Sequence, residues 1–143
     1  MRASDILGLK GGAVETLKQA DSLGHAIDRL AELNIGALLV VTEAGEPCGI
    51  LSERDVIRIL KGAPVGHRER PVSEVMTEKL ITTGPDATVD ELLDMMTERR
   101  IRHLPVVDDG KLIGILSIGD VIKHRIREAR EEAEALKSYI AGA

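Results

Sequence analysis

Aromatic side chains are almost missing from this chain: one tyrosine, Tyr139, and neither phenylalanine nor tryptophan in 143 residues. The core must therefore be packed by Leu, Ile, Val, Ala and Met. No row of aromatic faces is available on which the bases of single-stranded nucleic acid could stack. A positive charge excess is missing too: the formal net charge is −5, which argues against a phosphate-backbone partner. Cysteine occurs once, at Cys48, so no internal disulfide and no multi-cysteine metal site can form. Cys48 reads as a small hydrophobe at the start of a strand. No run of about 18 apolar residues exists that could span a membrane, and residues 1–15 lack an apolar signal segment. The expectation is a soluble protein of a reducing, cytoplasmic compartment, with neither nucleic acid nor membrane as partner.

What the chain does have is a repetition. Gly49-Ile50-Leu51-Ser52-Glu53-Arg54-Asp55-Val56-Ile57 returns as Gly114-Ile115-Leu116-Ser117-Ile118-Gly119-Asp120-Val121-Ile122. Upstream, residues 31–41 align with 97–107. A period of about 65 residues is too long for a helical solenoid and too short for two independent globules. Two halves folding as one pseudo-twofold unit fit it. The halves run over 3–61 and 71–128, joined by a linker over 62–70 rich in Gly, Pro and charge. An extension over 129–143 follows.

Each half reads β-α-β-β-α, an α/β (α+β) pattern. In the first half, Val14–Leu17 is a strand candidate following Gly11-Gly12. Ser22 is an N-cap, and Leu23, Ala26, Ile27, Leu30 and Leu33 follow helical spacing. Ala37–Val41 and Cys48–Leu51 are strands flanking a turn at 43–47. A helix over Arg54–Lys61 is stopped by Gly62 and Pro64. In the second half, strands are expected at Leu80–Thr83, Leu104–Val107 and Leu112–Leu116, the last two around a tight turn at Asp108-Asp109-Gly110. A helix from Thr88 carries Val89, Leu92, Leu93, Met96 and Ile101 on its apolar side. A final helix from about Ser117 continues to about Ile140, with Ile122, Ile126, Ala129, Ala133, Leu136 and Ile140 on one stripe. That stripe should pack on its own domain or on a second subunit. Packing the two small sheets against each other would make an intramolecular pseudo-dimer.

The repeated Gly-Ile-Leu-Ser-x-x-Asp element ends a strand and opens a helix. Its hydroxyl and carboxylate, three residues apart, share one side of the first helical turn. Helix N-terminal N–H groups favour an anion. The set suits a ribose-phosphate: serine and N–H groups toward phosphate, aspartate toward the ribose hydroxyls. It equally suits a plain N-cap that needs no ligand. Duplication copies caps as readily as sites, so the repetition does not choose between them. His25, His67 and His124 are scattered without ligand spacing and read as surface residues, with no metal site. No Ser-His-Asp arrangement and no glycine-rich nucleotide loop is present, so no enzyme and no catalytic cofactor are expected.

The pattern as a whole resembles a CBS-domain pair, or Bateman module. The resemblance rests on Ile-Arg-His-Leu-Pro-Val-Val-Asp at 101–108, on the doubled Gly-Ile-Leu-Ser-x-x-Asp, and on the openings Ser4-Asp5-Ile6-Leu7 and Ser73-Glu74-Val75-Met76-Thr77. It implies two repeats packed sheet to sheet. It also implies a regulatory module binding an adenosine-containing ligand in the cleft between repeats, with AMP or NAD(H) foremost, and modulating a partner protein that the sequence does not name. It implies a disc-like homodimer as well. Carried over by position, Asp120 and Asp55 grip ribose, with Ser117 and Ser52 beside them. Thr82, Thr83, Pro85, Arg102, His103, Leu104 and Pro105 form the remaining wall in the second half. The equivalents in the first half lack both prolines, which favours the Ser117–Asp120 site. Arg54 stands where the second copy has Gly119 and could clamp a phosphate. The alternative is a ligand-free dimerisation or assembly domain in which the Ser and Asp pairs are only helix caps.

Overall fold

A computed structural model describes residues 1–11, 14–62 and 66–142. Gly12 and Ala13, residues 63–65 of the linker with Pro64, and Ala143 of the extension lie outside them. The chain forms two compact units. One comprises Met1–Ala13, Thr82–Asp109 and Ile113–Ala143; the other comprises Val14–Ile81 and Gly110–Leu112.

The second of these units is built on a three-stranded sheet in the order β1 (Thr16–Lys18), β2 (Ala37–Val41), β3 (Pro47–Ser52). Helix α1 (Ala3–Lys10) belongs to the other unit. Between β1 and β2 runs α2 (Leu23–Leu33), which makes β1 and β2 parallel. Ser22 caps α2, accepting from the His25 N–H at 3.0 Å. Asn34 ends α2 in the left-handed region, where Asn carries little strain. β2 and β3 pair antiparallel with an irregularity at Val40/Val41. The four buried residues of β2 match its continuous apolar run. Leu17, Leu23, Leu30, Leu38, Leu51 and Val72 pack as the core. Helix α3 (Glu53–Gly62) follows β3 directly.

Residues 71–77 close this unit. The Val72 N–H donates to the Asp21 carbonyl at 2.8 Å, and Thr77 pairs with Ile50 through both backbone groups. Gly49 is the contact point, since a Cβ there would collide with the Met76 side chain.

The other unit combines α1, α4 (Val89–Arg99), the β4–β5 hairpin (His103–Asp108, Lys111–Ser117) apart from Gly110–Leu112, and α5 (Ile118–Ala141). The hairpin turn places Asp109 at φ 50° and Gly110 at φ 76°, as a primed two-residue turn requires. The N-terminal helix thus joins the strands of the second repeat. Its Ala3 and Ser4 N–H groups donate to the Ala87 and Pro85 carbonyls, and Ile6 is fully buried. Leu7 does here what Met76 does in the other unit: a Cβ on Gly114 would collide with it.

Two expectations are corrected. No strand forms at Leu80–Thr83. Only Thr83 pairs, its N–H donating to the Pro105 carbonyl and its carbonyl accepting from Val107 N–H. The next rung on one side would need an N–H from Pro105, and on the other an N–H from Pro85, and proline has none. In the first repeat Leu39 stands opposite Thr16 and the parallel ladder runs three residues. His124, expected at the surface, is buried. It lies three residues beyond buried Val121, on the face of α5 that packs against α1 and α4.

The long terminal helix forms as expected, but its apolar stripe has no cover among the described residues: Ile122, Ile126, Leu136 and Ile140 are all exposed. No described helix is long and apolar enough to cross a membrane.

The two repeat glycines make a direct test. Gly114→Ala should cost about 1–3 kcal/mol through overpacking against Leu7. Gly119→Ala, whose Cβ would meet only the Ser117 hydroxyl at 3.7 Å, should leave stability unchanged or raise it by up to about 1 kcal/mol. Urea denaturation of the two variants reads both values.

Candidate functional site

Both Ser-x-x-Asp elements sit where a strand passes directly into a helix. In each, the helix's first N–H donates to a carbonyl at the start of the preceding hairpin: Glu53 to Gly36 at 3.0 Å, Ile118 to Arg102 at 2.8 Å. In each, serine and aspartate cap one another. Asp120 N–H donates to Ser117 Oγ at 3.1 Å, and Ser117 N–H to Asp120 Oδ2 at 2.9 Å. The corresponding distances at Ser52 and Asp55 are 3.2 and 2.9 Å. The capping reading of the sequence is therefore part of the structure in both halves.

The surroundings of the two carboxylates differ. Asp55 has a side chain only 9% exposed and both oxygens occupied. Its Oδ2 accepts from Ser52 N–H and Oγ–H, and its Oδ1 from Arg58 at 2.6 Å and Thr77 at 3.4 Å. Asp120 is 26% exposed on its side chain. Its Oδ2 accepts from Ser117 N–H and from Lys10 Nζ at 2.8 Å, while Oδ1 has no partner among the described residues. The Ser117 hydroxyl accepts from Asp120 N–H and, through its own O–H, helps to lower the Asp120 carboxyl pKa, as the Ser52 hydroxyl donates to Asp55. The repeat thus holds one closed and one open version of the same element.

Lys10 is the residue that sequence reasoning missed. It reaches across from α1, 110 positions away in the chain, to Asp120 and to the Ile115 carbonyl. Partial burial pushes the Asp120 carboxyl up, but the Lys10 ammonium and the Ser117 N–H outweigh it and hold the group below the usual carboxylate range. Arg58 and Thr77, which close off Asp55, were missed as well. No spacing rule links Lys10 or Thr77 to the motif, because both come from the segments that close each unit.

The other expected residues fall as follows. Thr83, Leu104 and Pro105 are buried side by side where Thr83 meets β4. Pro85 and His103 are half-buried; Thr82 and Arg102 are exposed. All belong to the unit that carries Ser117 and Asp120. Ser52, Arg54 and Asp55 belong to the other. Arg54 is exposed and the ion pair to Asp55 is made by Arg58 instead. No group of three His, Cys, Asp or Glu residues among those described is placed to hold a metal. Cys48 is a free, half-buried thiol. Burial first, and the Glu78 charge second, push its pKa up, away from reactivity.

Because the Asp120 carboxyl is depressed on folding, its contribution to stability is complete above about pH 4, the unfolded value. It is lost as pH falls through the lowered folded value. Asp120→Asn should cost about 1 kcal/mol at pH 6, the scale of a lost cap. The gap to wild type should narrow as pH falls below about 4, read by thermal unfolding across pH, and Lys10→Met should show the same convergence.

The family model of the CBS domain matches residues 13–62 and 72–127. The CBS domain-containing protein CBSX3, mitochondrial, of Arabidopsis thaliana is 35% identical over 97% of this chain and 71% of its own length. The crystal structure of the CBS-domain protein ATU1752 from Agrobacterium tumefaciens superposes with a TM-score of 0.83 at 37% identity, covering 87% of this chain and 99% of that one. The CBS domain pair of protein MJ0100, solved with 5′-methylthioadenosine and S-adenosyl-L-methionine, gives a TM-score of 0.78 at 27% identity over 90% and 98%. With two copies of the motif, two matched repeats and these likenesses in sequence and structure, the chain belongs to the CBS-domain family and has the fold of a CBS pair.

Proposed function

We propose that the chain is a regulatory module that binds an adenosine-containing ligand, AMP or NAD(H) in first place, with its ribose on Asp120. The observation that carries this is the open Oδ1 of Asp120 on a carboxylate 26% exposed, where both oxygens of Asp55 are taken. A ribose offers two hydroxyl donors to such an oxygen. Asp55 has no such capacity left, so the second repeat is the working site and the first is structural or selective for something else. The adenosine compounds bound to the MJ0100 domain pair support the ligand class. A CBS pair carries no chemistry of its own in this reading; its occupancy is passed to a partner protein, and only a ligand that binds two states unequally can pass it on. The free thiol of Cys48 fits a reducing, cytoplasmic compartment. The completeness of both capping boxes favours the alternative, an assembly domain without ligand.

A thermal-shift panel of AMP, ADP, ATP, NAD, NADH and S-adenosylmethionine tests the reading. A ligand present at about 100 times its dissociation constant should add about 2.7 kcal/mol of stability. The shift should persist in Asp55→Ala and disappear in both Asp120→Ala and Asp120→Asn. No shift with any compound contradicts the sensor reading and supports the assembly domain.

The exposed stripe of α5 is proposed to pair with α5 of a second copy, antiparallel. Residues 123–130 of the helix carry Lys123, Arg125, Arg127 and Arg130 against Glu128 alone. Residues 131–140 carry Glu131, Glu132 and Glu134 against Lys137. An antiparallel pair sets the basic half against the acidic half while covering Ile122, Ile126, Leu136 and Ile140. Light scattering should give twice the mass of one chain, and Ile126→Glu with Leu136→Glu should give a folded monomer.

A further inference from the structure

Beyond Asp120, α5 places Lys123, His124 and Arg127 one and two turns further along. Helix α1 brings Ile6, Leu9 and Lys10 against them, and together these side chains surround a cavity of about 380 Å³, a size suited to a small ligand. Lys10, Lys123 and Arg127 supply three cations, and the only carboxylate in the lining, Asp120, is engaged by Lys10. Neither Lys123 nor Arg127 forms an ion pair among the described residues. His124 is 6% exposed and its Nδ1 has no hydrogen-bond partner among the described residues. Lys123 and Arg127 are exposed and have no carboxylate paired with them among the described residues, so with Lys10 they give the concavity, whose wall includes buried His124, a positive potential that favours an anion.

We propose that this cavity is a binding site for a phosphate or diphosphate group. Lys123 acts as a point charge and Arg127 offers a fork of donors that matches phosphate oxygens. Arg127 lies about 10 Å along the helix from Asp120, which leaves room for more than one phosphate between them. The anion comes either from the phosphate tail of a nucleotide or from a free phosphate compound. The first source rests on the reading of Asp120 as the ribose site; the anion site itself does not.

Calorimetric titration of the full chain with inorganic pyrophosphate, adenosine and ADP, at constant ionic strength, separates these. The proteins are wild type, Lys123→Ala/Arg127→Ala, and a control with the same change in charge, Lys61→Ala/Lys79→Ala, at exposed lysines of the other unit. Pyrophosphate should bind wild type and control and at least tenfold more weakly to the cavity variant. ADP binding at least tenfold tighter than adenosine, with that advantage lost in the cavity variant, assigns the site to a nucleotide tail. Pyrophosphate binding that depends on Lys123 and Arg127, with no binding of adenosine or ADP, upholds the anion site and overturns the ribose reading. Pyrophosphate that fails to bind wild type, or binds the cavity variant as tightly, overturns the proposal.

Discussion

Each compact unit depends on one close approach: a side chain from a distant segment laid on a glycine in the middle of a strand. Gly114 receives Leu7 of α1, and Gly49 receives Met76. A Cβ at either position would push the segment off its strand. The small sheets need this closure, since one has three strands and the other only two plus the single rung at Thr83. A hairpin of that size does not hold together by itself. With no phenylalanine or tryptophan to supply bulk, burial is assembled from aliphatic contacts of this kind.

The same closure decides what the two Ser-x-x-Asp elements can do. The segment arriving on Gly49 continues to Thr77, whose hydroxyl reaches Asp55, and Arg58 completes the enclosure. The segment arriving on Gly114 continues to Lys10, which takes one oxygen of Asp120 and leaves the other open. A duplicated sequence thereby yields two electrostatically different sites. Both aspartates stabilise their helices as caps. Only Asp120 retains acceptor capacity for hydroxyls brought from outside, and its charge is kept by Lys10 and Ser117 against the cost of partial burial.

Most of the fold was legible because the repeat, the capping serine and threonine and the turn glycine are local signals. Ser22, Thr88 and the Asp109-Gly110 turn occupy the roles their residue types suggest. The strand at Leu80–Thr83 was misread because the apolar pattern does not register that Pro105 and Pro85 remove the donors on either side of its one rung. His124 was misread because its neighbours in sequence are charged, and its burial is imposed by α1 and α4. The serines and aspartates of the site were visible in the motif. Lys10, Thr77 and Arg58, which set the character of each carboxylate, were not. Two of them arrive from across the chain, and Arg58 is one of several cations with helical spacing to the motif.

A crystal structure of the chain grown with AMP tests the assignment of the ribose to Asp120. Ribose hydroxyls are expected within hydrogen-bond distance of the Asp120 carboxylate and none at Asp55. Nucleotide seated on Asp55, or bound with its ribose remote from Asp120, would contradict it.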